Sequence, residues 1–262
     1  MSGDADLTER VLLAGPVMVR LVGAIPRVQE ILGTPVIVGG LAVMSRLGRA
    51  HRATQDLDAL RRRAEGQPSG LEVLEAAGAV DMNEVGGFLE TARGTVRVDV
   101  LDAGPHDLDR QFSDPTDRLE ATAHRWALDT ATFMRIEANS IDETRAVETV
   151  LAEVLVARPG PLVAMKLKAS VDRGAAKQAT DLLDVVRLVT DPVASRHVAR
   201  EFTAVDAQVR TDVAHHAAQQ FFDRRPQTRR MIRNLNVAGI DDTLVDAAGE
   251  FLAGLLGIEE DE

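Results

Sequence analysis

Three consecutive β-branched residues, Val36-Ile37-Val38, run directly into Gly39-Gly40. Such a run fits a short buried strand. Two glycines at its end leave the backbone open to close approach by a phosphate. Apolar spacing resumes at Leu41 and lasts to Leu47, which predicts a helix whose first N–H groups face the same side. A second strand is predicted over residues 56–60 and opens with Asp56-Leu57-Asp58. Residues two apart on a strand share a face, so both carboxylates point one way and Leu57 the other. Paired hard oxygen donors suit Mg²⁺, which takes carboxylates, phosphate oxygens and water. Taken alone, an Asp-x-Asp is more often a solvated acidic turn. Its position after strand, Gly-Gly and helix is what gives it weight.

The rest of the chain reads as mixed strands followed by helices. Residues 88–91 and 95–101 flank Ala92-Arg93-Gly94 and predict a β-hairpin. Val96, Val98 and Val100 alternate with Arg97 and Asp99, which puts Asp99 opposite the valines. Helical spacing covers residues 16–32, with Pro26 able to split it, and residues 71–77. Residues 131–137 read as another strand. Beyond Pro159 helices are predicted over 161–172, 175–189, roughly 193–222, and 242–256. The order points to an α+β chain with a helical C-terminal part, divided near Pro159-Gly160 into residues 1–158 and 159–262.

Composition excludes several chemistries. With no Cys among 262 residues, thiol nucleophiles, disulfides and zinc-thiolate sites are ruled out. Aromatics make up 3% and Tyr is absent, so the core must be aliphatic and stacking platforms for single-stranded nucleic acid are not expected. A net charge of −11 argues against a general polyanion binder and suits a site that gathers carboxylates around metal ions. The N-terminus lacks a basic start followed by an apolar run, and no stretch reaches membrane-spanning length, so a cytoplasmic chain is expected. No Walker A run, dinucleotide Gly-x-Gly-x-x-Gly or Gly-x-Ser-x-Gly occurs. His215-His216 lacks the acid and spacing of a zinc helix.

The segment VGGLAVMSRLGRAHRATQDLD resembles the nucleotidyltransferase superfamily related to DNA polymerase β. Arg52-x-Thr54-x-Asp56-Leu57-Asp58 resembles the Arg-x-(Ser/Thr)-x-Asp-(Leu/Ile)-Asp form of the AbiEii-type toxin nucleotidyltransferases. A second block, VLVARPGPLVAMKLKASVDRGAAKQATDLLDVVRL, is similar to that family's Leu-x-x-x-Lys-Leu-x-Ala, Arg, Lys and Asp-Leu pattern. The matching residues are Leu162, Lys166-Leu167, Ala169, Arg173, Lys177 and Asp181-Leu182. Together the blocks span about residues 36 to 190. Two departures stand out. The gap between Gly-Gly and Asp-x-Asp is slightly longer than expected, and Gln178 follows Lys177 where many members carry Asp.

The resemblance implies a nucleotidyltransferase fold, with a small mixed sheet flanked by helices and a helical region after it. It implies two Mg²⁺ ions among Asp56, Asp58 and a third acid, Asp99, with an NTP as substrate. Asp102 competes for the third position but reads as a turn former beside Ala103-Gly104-Pro105. Gly39, Gly40, Arg52, Thr54, Arg173 and Lys177 are the expected nucleotide contacts. Arg52 either binds phosphate or holds Asp56; Thr54 either meets nucleotide or caps a turn. Lys166 is expected to neutralise charge on the transferring phosphate. Its replacement by Ala is expected to spare the fold and lower transfer at least about tenfold. Asp181 either orients Lys166, accepts a proton, or pairs with Lys177 one turn away. The implied acceptor is tRNA, with growth arrest as the effect and an antitoxin as partner. A small molecule such as an antibiotic is the alternative acceptor, and an inactive binding module retaining the fold is the alternative class. Arg225, Arg229 and Arg233 recur every four residues, a stripe that is a solvated face, contacts the acidic body of the protein, or receives a tRNA backbone or an acidic partner.

Overall fold

The computed structural model describes residues 9–105, 112–141, 145–172 and 174–259. The chain divides into two compact units. One comprises residues up to Asp102 together with Ala131–Ala157, the other Ala103–Thr130 with Arg158–Glu262.

The first unit is built on a seven-stranded mixed sheet. Its strands are β1 (Glu9–Ala14), β2 (Val36–Val38), β3 (Asp56–Arg62), β4 (Gly86–Thr91), β5 (Gly94–Ala103), β6 (Thr132–Ile141) and β7 (Val147–Val156), in the spatial order β1-β6-β7-β2-β3-β5-β4. All three residues of β2 are buried, as a central strand requires. It lies antiparallel to β3, with Val38 opposite Asp58, and parallel to β7. Helix α1 (Pro16–Leu32) packs against β6 and β7 and buries Met18, Leu21, Val22, Ile25 and Val28 among its residues. Pro26 lies inside α1 without splitting it. It sits on the exposed side, and the buried stripe continues past it. The first unit also carries α2 (Gly39–Leu47) and α3 (Gly70–Ala76).

The second unit is helical: α4 (Pro115–Thr130), α5 (Pro159–Asp172), α6 (Ala175–Thr190), α7 (Ala194–Ala204), α8 (Ala207–Ala218), α9 (Arg225–Asn234) and α10 (Asp242–Leu256). Asp114 starts α4, its Oδ1 accepting from the N–H groups of Thr116 and Asp117 at 2.8 and 3.2 Å. The single helix expected over residues 193–222 is three elements. Val205 leaves the helical conformation, and Asp206 caps α8 by accepting from Gln208 N–H at 2.7 Å. After α8 the chain widens into a π-helical turn, Gln219–Asp223. Trp126 of α4 meets Phe202 of α7 edge to face, centroids 5.1 Å apart. Among the described residues no helix is long and apolar enough to cross a membrane.

Candidate functional site

The corner after β2 is shaped around Asp58. Gly39 has φ 63°, a conformation that costs any residue with a Cβ. A Cβ there would also stand 1.9 Å from Asp58 Oδ2. Gly40 is closed in the same way: its Cβ would meet Arg52 Nη2 at 2.7 Å and Thr54 Oγ1 at 2.8 Å. The Gly-Gly pair, Asp58, Arg52 and Thr54 are thus brought together. Thr54 is buried, and Arg52 Nη1 donates to the Ala53 carbonyl at 2.9 Å. Along β3, Leu57 and Ala59 are buried while Asp56 and Asp58 are half-exposed, so the two carboxylates share the open face of the strand.

Asp99 lies on β5, next to β3 in the sheet, opposite the buried Val98 and Val100. Its Oδ1 accepts from Arg97 Nε at 2.8 Å. Arg97 is itself anchored, donating to Asn83 Oδ1 at 2.7 Å and lying 5.5 Å over the Phe88 ring. Among the described residues no three His, Asp or Glu side chains stand close enough to form a metal cluster. Asp99 is thus engaged by Arg97 within its own strand, while Asp56 and Asp58 share the face of β3. Asp102 has another task. Its Oδ2 accepts from Gly70 N–H at 2.6 Å, at the start of α3, and its Oδ1 lies 3.5 Å from Arg61 Nε. It is a strand residue tying a helix to the sheet, rather than a turn former.

The second motif block forms a buried ion-pair group. Lys166 Nζ lies 2.6 Å from Asp181 Oδ1 and 3.0 Å from Asp184 Oδ2. The three side chains are 8%, 1% and 0% exposed. Asp181 and Asp184 are three apart on α6, so one helix face carries both. Asp181 faces Lys166 at hydrogen-bond distance, as one of the three readings held. Asp184 was not anticipated; the Asp-x-x-Asp spacing within an apolar helix was its only sequence signal. Lys177 is exposed, and Arg173 lies outside the described residues.

The arginine stripe is engaged within the chain. Arg225 Nε lies 3.0 Å from Asp246 Oδ1, Arg229 pairs with the same carboxylate, and Arg233 pairs with Asp242. Both acids belong to α10, so the stripe contacts the acidic body of the protein.

A search of curated proteins finds no match. The family model described as nucleotidyl transferase AbiEii toxin, type IV toxin–antitoxin system, matches residues 32–261. That span contains the Gly-Gly corner, the Asp-x-Asp strand and the buried lysine group, and leaves out only β1, most of α1 and the ends of the chain. The chain belongs to the AbiEii family of nucleotidyltransferase toxins.

Proposed function

We propose that this enzyme moves a nucleoside monophosphate from an NTP to tRNA in a Mg²⁺-dependent reaction. The observation that carries the reading is the Gly39–Asp58 contact, where only a residue without a Cβ fits against the carboxylate. Asp56 and Asp58 offer two hard oxygens on one strand face, and Mg²⁺ commonly takes one or two carboxylates with substrate phosphates and water completing its shell. The donor set therefore fits. Asp99 would join them as a third ligand on exchanging Arg97 for the metal. When bound, the two ions would polarise the phosphate oxygens and lower the pKa of the attacking hydroxyl.

The chain's own groups do the positioning. Gly39, Gly40 and the first N–H groups of α2 form a cradle for triphosphate oxygens. Arg52 supplies a guanidinium beside Gly40, and Thr54 fixes the approach to β3. Lys166, held by Asp181 and Asp184, stabilises charge on the transferring phosphate, with Arg173 and Lys177 as further nucleotide contacts. In this reading residues 1–158 carry the Asp-x-Asp strand, the Gly-Gly corner and Arg52, and residues 159–262 carry Lys166, Arg173 and Lys177. Membership of a type IV toxin–antitoxin family brings an NTP substrate and an antitoxin partner.

The test is incubation with each labelled NTP, Mg²⁺ and total RNA, with chelation as control. A labelled tRNA band that disappears on chelation is the expected result. The net charge of −11 and the engaged arginine stripe favour a small-molecule acceptor as the second reading. Label found only in the low-molecular-weight fraction of an added cell extract would establish it, and no transfer to anything would overturn both.

A further inference from the structure

The helical unit bears an open cavity of about 720 Å³, within the size range of small-molecule sites. It is walled by α4, the α7–α8 turn and the start of α5. Trp126, Ala204, Val205 and Val209 supply an apolar side. Gly160 leaves room for the Trp126 indole, because a Cβ there would stand 2.8 Å from the ring.

The charged groups around the cavity are Arg125, Arg158, Arg200, Asp129, Glu201 and Asp206. Two of the acids are turned to helix starts. Glu201 Oε2 accepts from Gly160 N–H at 2.6 Å and Asp206 Oδ1 from Gln208 N–H. Arg158 differs. Its Nε is buried with no hydrogen-bond partner among the described residues, and the Glu201 carboxylate stands 4.0 Å from its Nη1. The side chain is 37% exposed, so the guanidinium is reachable. A buried N–H without an acceptor is costly, and a guanidinium is the cation best shaped for bidentate pairing with a carboxylate or phosphate.

We propose that this cavity binds a small organic oxyanion carrying a flat ring, with the anionic group on Arg158 and the ring along Trp126. The site is separate from the residues assigned to nucleotidyl transfer. Carboxylates and phosphate monoesters share the required chemistry, and two probes separate them.

The chain has one Trp and no Tyr, so its tryptophan emission reports the cavity wall alone. The full chain is titrated with benzoate, with adenosine 5′-monophosphate, and with benzyl alcohol as the uncharged counterpart of benzoate. A saturable change with benzoate assigns a carboxylate ligand; one with the monophosphate assigns a phosphate ester. In either case Arg158→Gln should weaken binding at least about tenfold, and Ala204→Phe, which narrows the cavity beside Trp126, should weaken the response as well. Gly39→Ala should leave it unchanged. No response to either anion overturns the proposal. So does benzyl alcohol binding as tightly as benzoate, or a response that survives both Arg158→Gln and Ala204→Phe.

Discussion

Gly39 shows how little freedom a single position of the site has. Its φ of 63° and the 1.9 Å approach of Asp58 Oδ2 to a would-be Cβ act together. Gly39→Ala is expected to lose about 1–2 kcal/mol from the backbone alone and to displace Asp58. Nucleotidyl transfer should fall well over tenfold while denaturant unfolding stays cooperative; unchanged transfer would remove the corner from the site. Lys166 reverses one expectation. From sequence, Lys166→Ala was to spare the fold, but the lysine neutralises two carboxylates that are 1% and 0% exposed. Removing it takes their shared cation from both, and breaking a buried ion pair by removing one partner costs roughly 3–5 kcal/mol. A substantial drop in the urea midpoint is therefore expected along with lost activity. The variant that separates role from stability is Asp184→Asn, which keeps shape and one acid partner. A fall in turnover there, without loss of fold, marks the aspartate as a positioning residue. Asp184 escaped the sequence reading because nothing in a linear motif reports that two acids on one helix face meet the same lysine.

Elements were legible where local signals agree with their tertiary setting. Asp242–Leu256 follows Asp241, which caps it by accepting from Leu244 N–H at 2.9 Å, and its bounds matched the apolar spacing. The Val36–Val38 strand and the Asp56 strand were equally plain. Strand Glu9–Ala14 was not, because it pairs only with β6 at the sheet edge and alternates over two buried residues, Val11 and Leu13. Helix α4 was readable in principle from Asp114-Pro115, a cap followed by Pro at the first helical position, but its polar composition hid the apolar stripe. The arginine stripe of α9 was read correctly as a stripe, yet sequence alone could not say that α10 would lie against it. Its pairs are a third or more exposed at several positions, so solvent screens them and each contributes little. Changing Arg225, Arg229 and Arg233 together to Glu sets them against Asp242 and Asp246. The expected result is a lower thermal midpoint that added salt partly restores. A midpoint unaffected by the triple change would show that α9 and α10 are held by apolar contacts alone.

At the scale of the whole molecule, the helical unit depends on a segment from the middle of the chain. Asp212 is 2% exposed and receives both Arg118 Nε at 2.7 Å and Nη2 at 2.5 Å. Beside it His216 is buried, its Nδ1 donating to the Asp212 carbonyl at 2.7 Å. Burial pushes the imidazole below its ordinary 6.5, outweighing the Asp212 hydrogen bond. The unfolded chain therefore binds this proton at higher pH than the folded one. Its contribution to stability is present above about pH 6.5 and lost as pH falls below it. Denaturant midpoints should decline on acidification before the carboxylate range, and His216→Gln should flatten that slope. Arg118 and Trp126 both lie on α4, outside residues 158–262. Without α4, Asp212 keeps a buried charge with no arginine, and Phe202 loses the Trp126 ring. The first loss alone, roughly 3–5 kcal/mol, rivals the whole stability of a small domain, about 5–15 kcal/mol. Residues 158–262 made alone are thus expected to lack a cooperative unfolding transition by circular dichroism. The same stretch with residues 103–130 joined to its end should regain one. Cooperative unfolding of the shorter piece would show that the C-terminal helices form their own core, and that the Arg118–Asp212 pair ties α4 to a unit already complete.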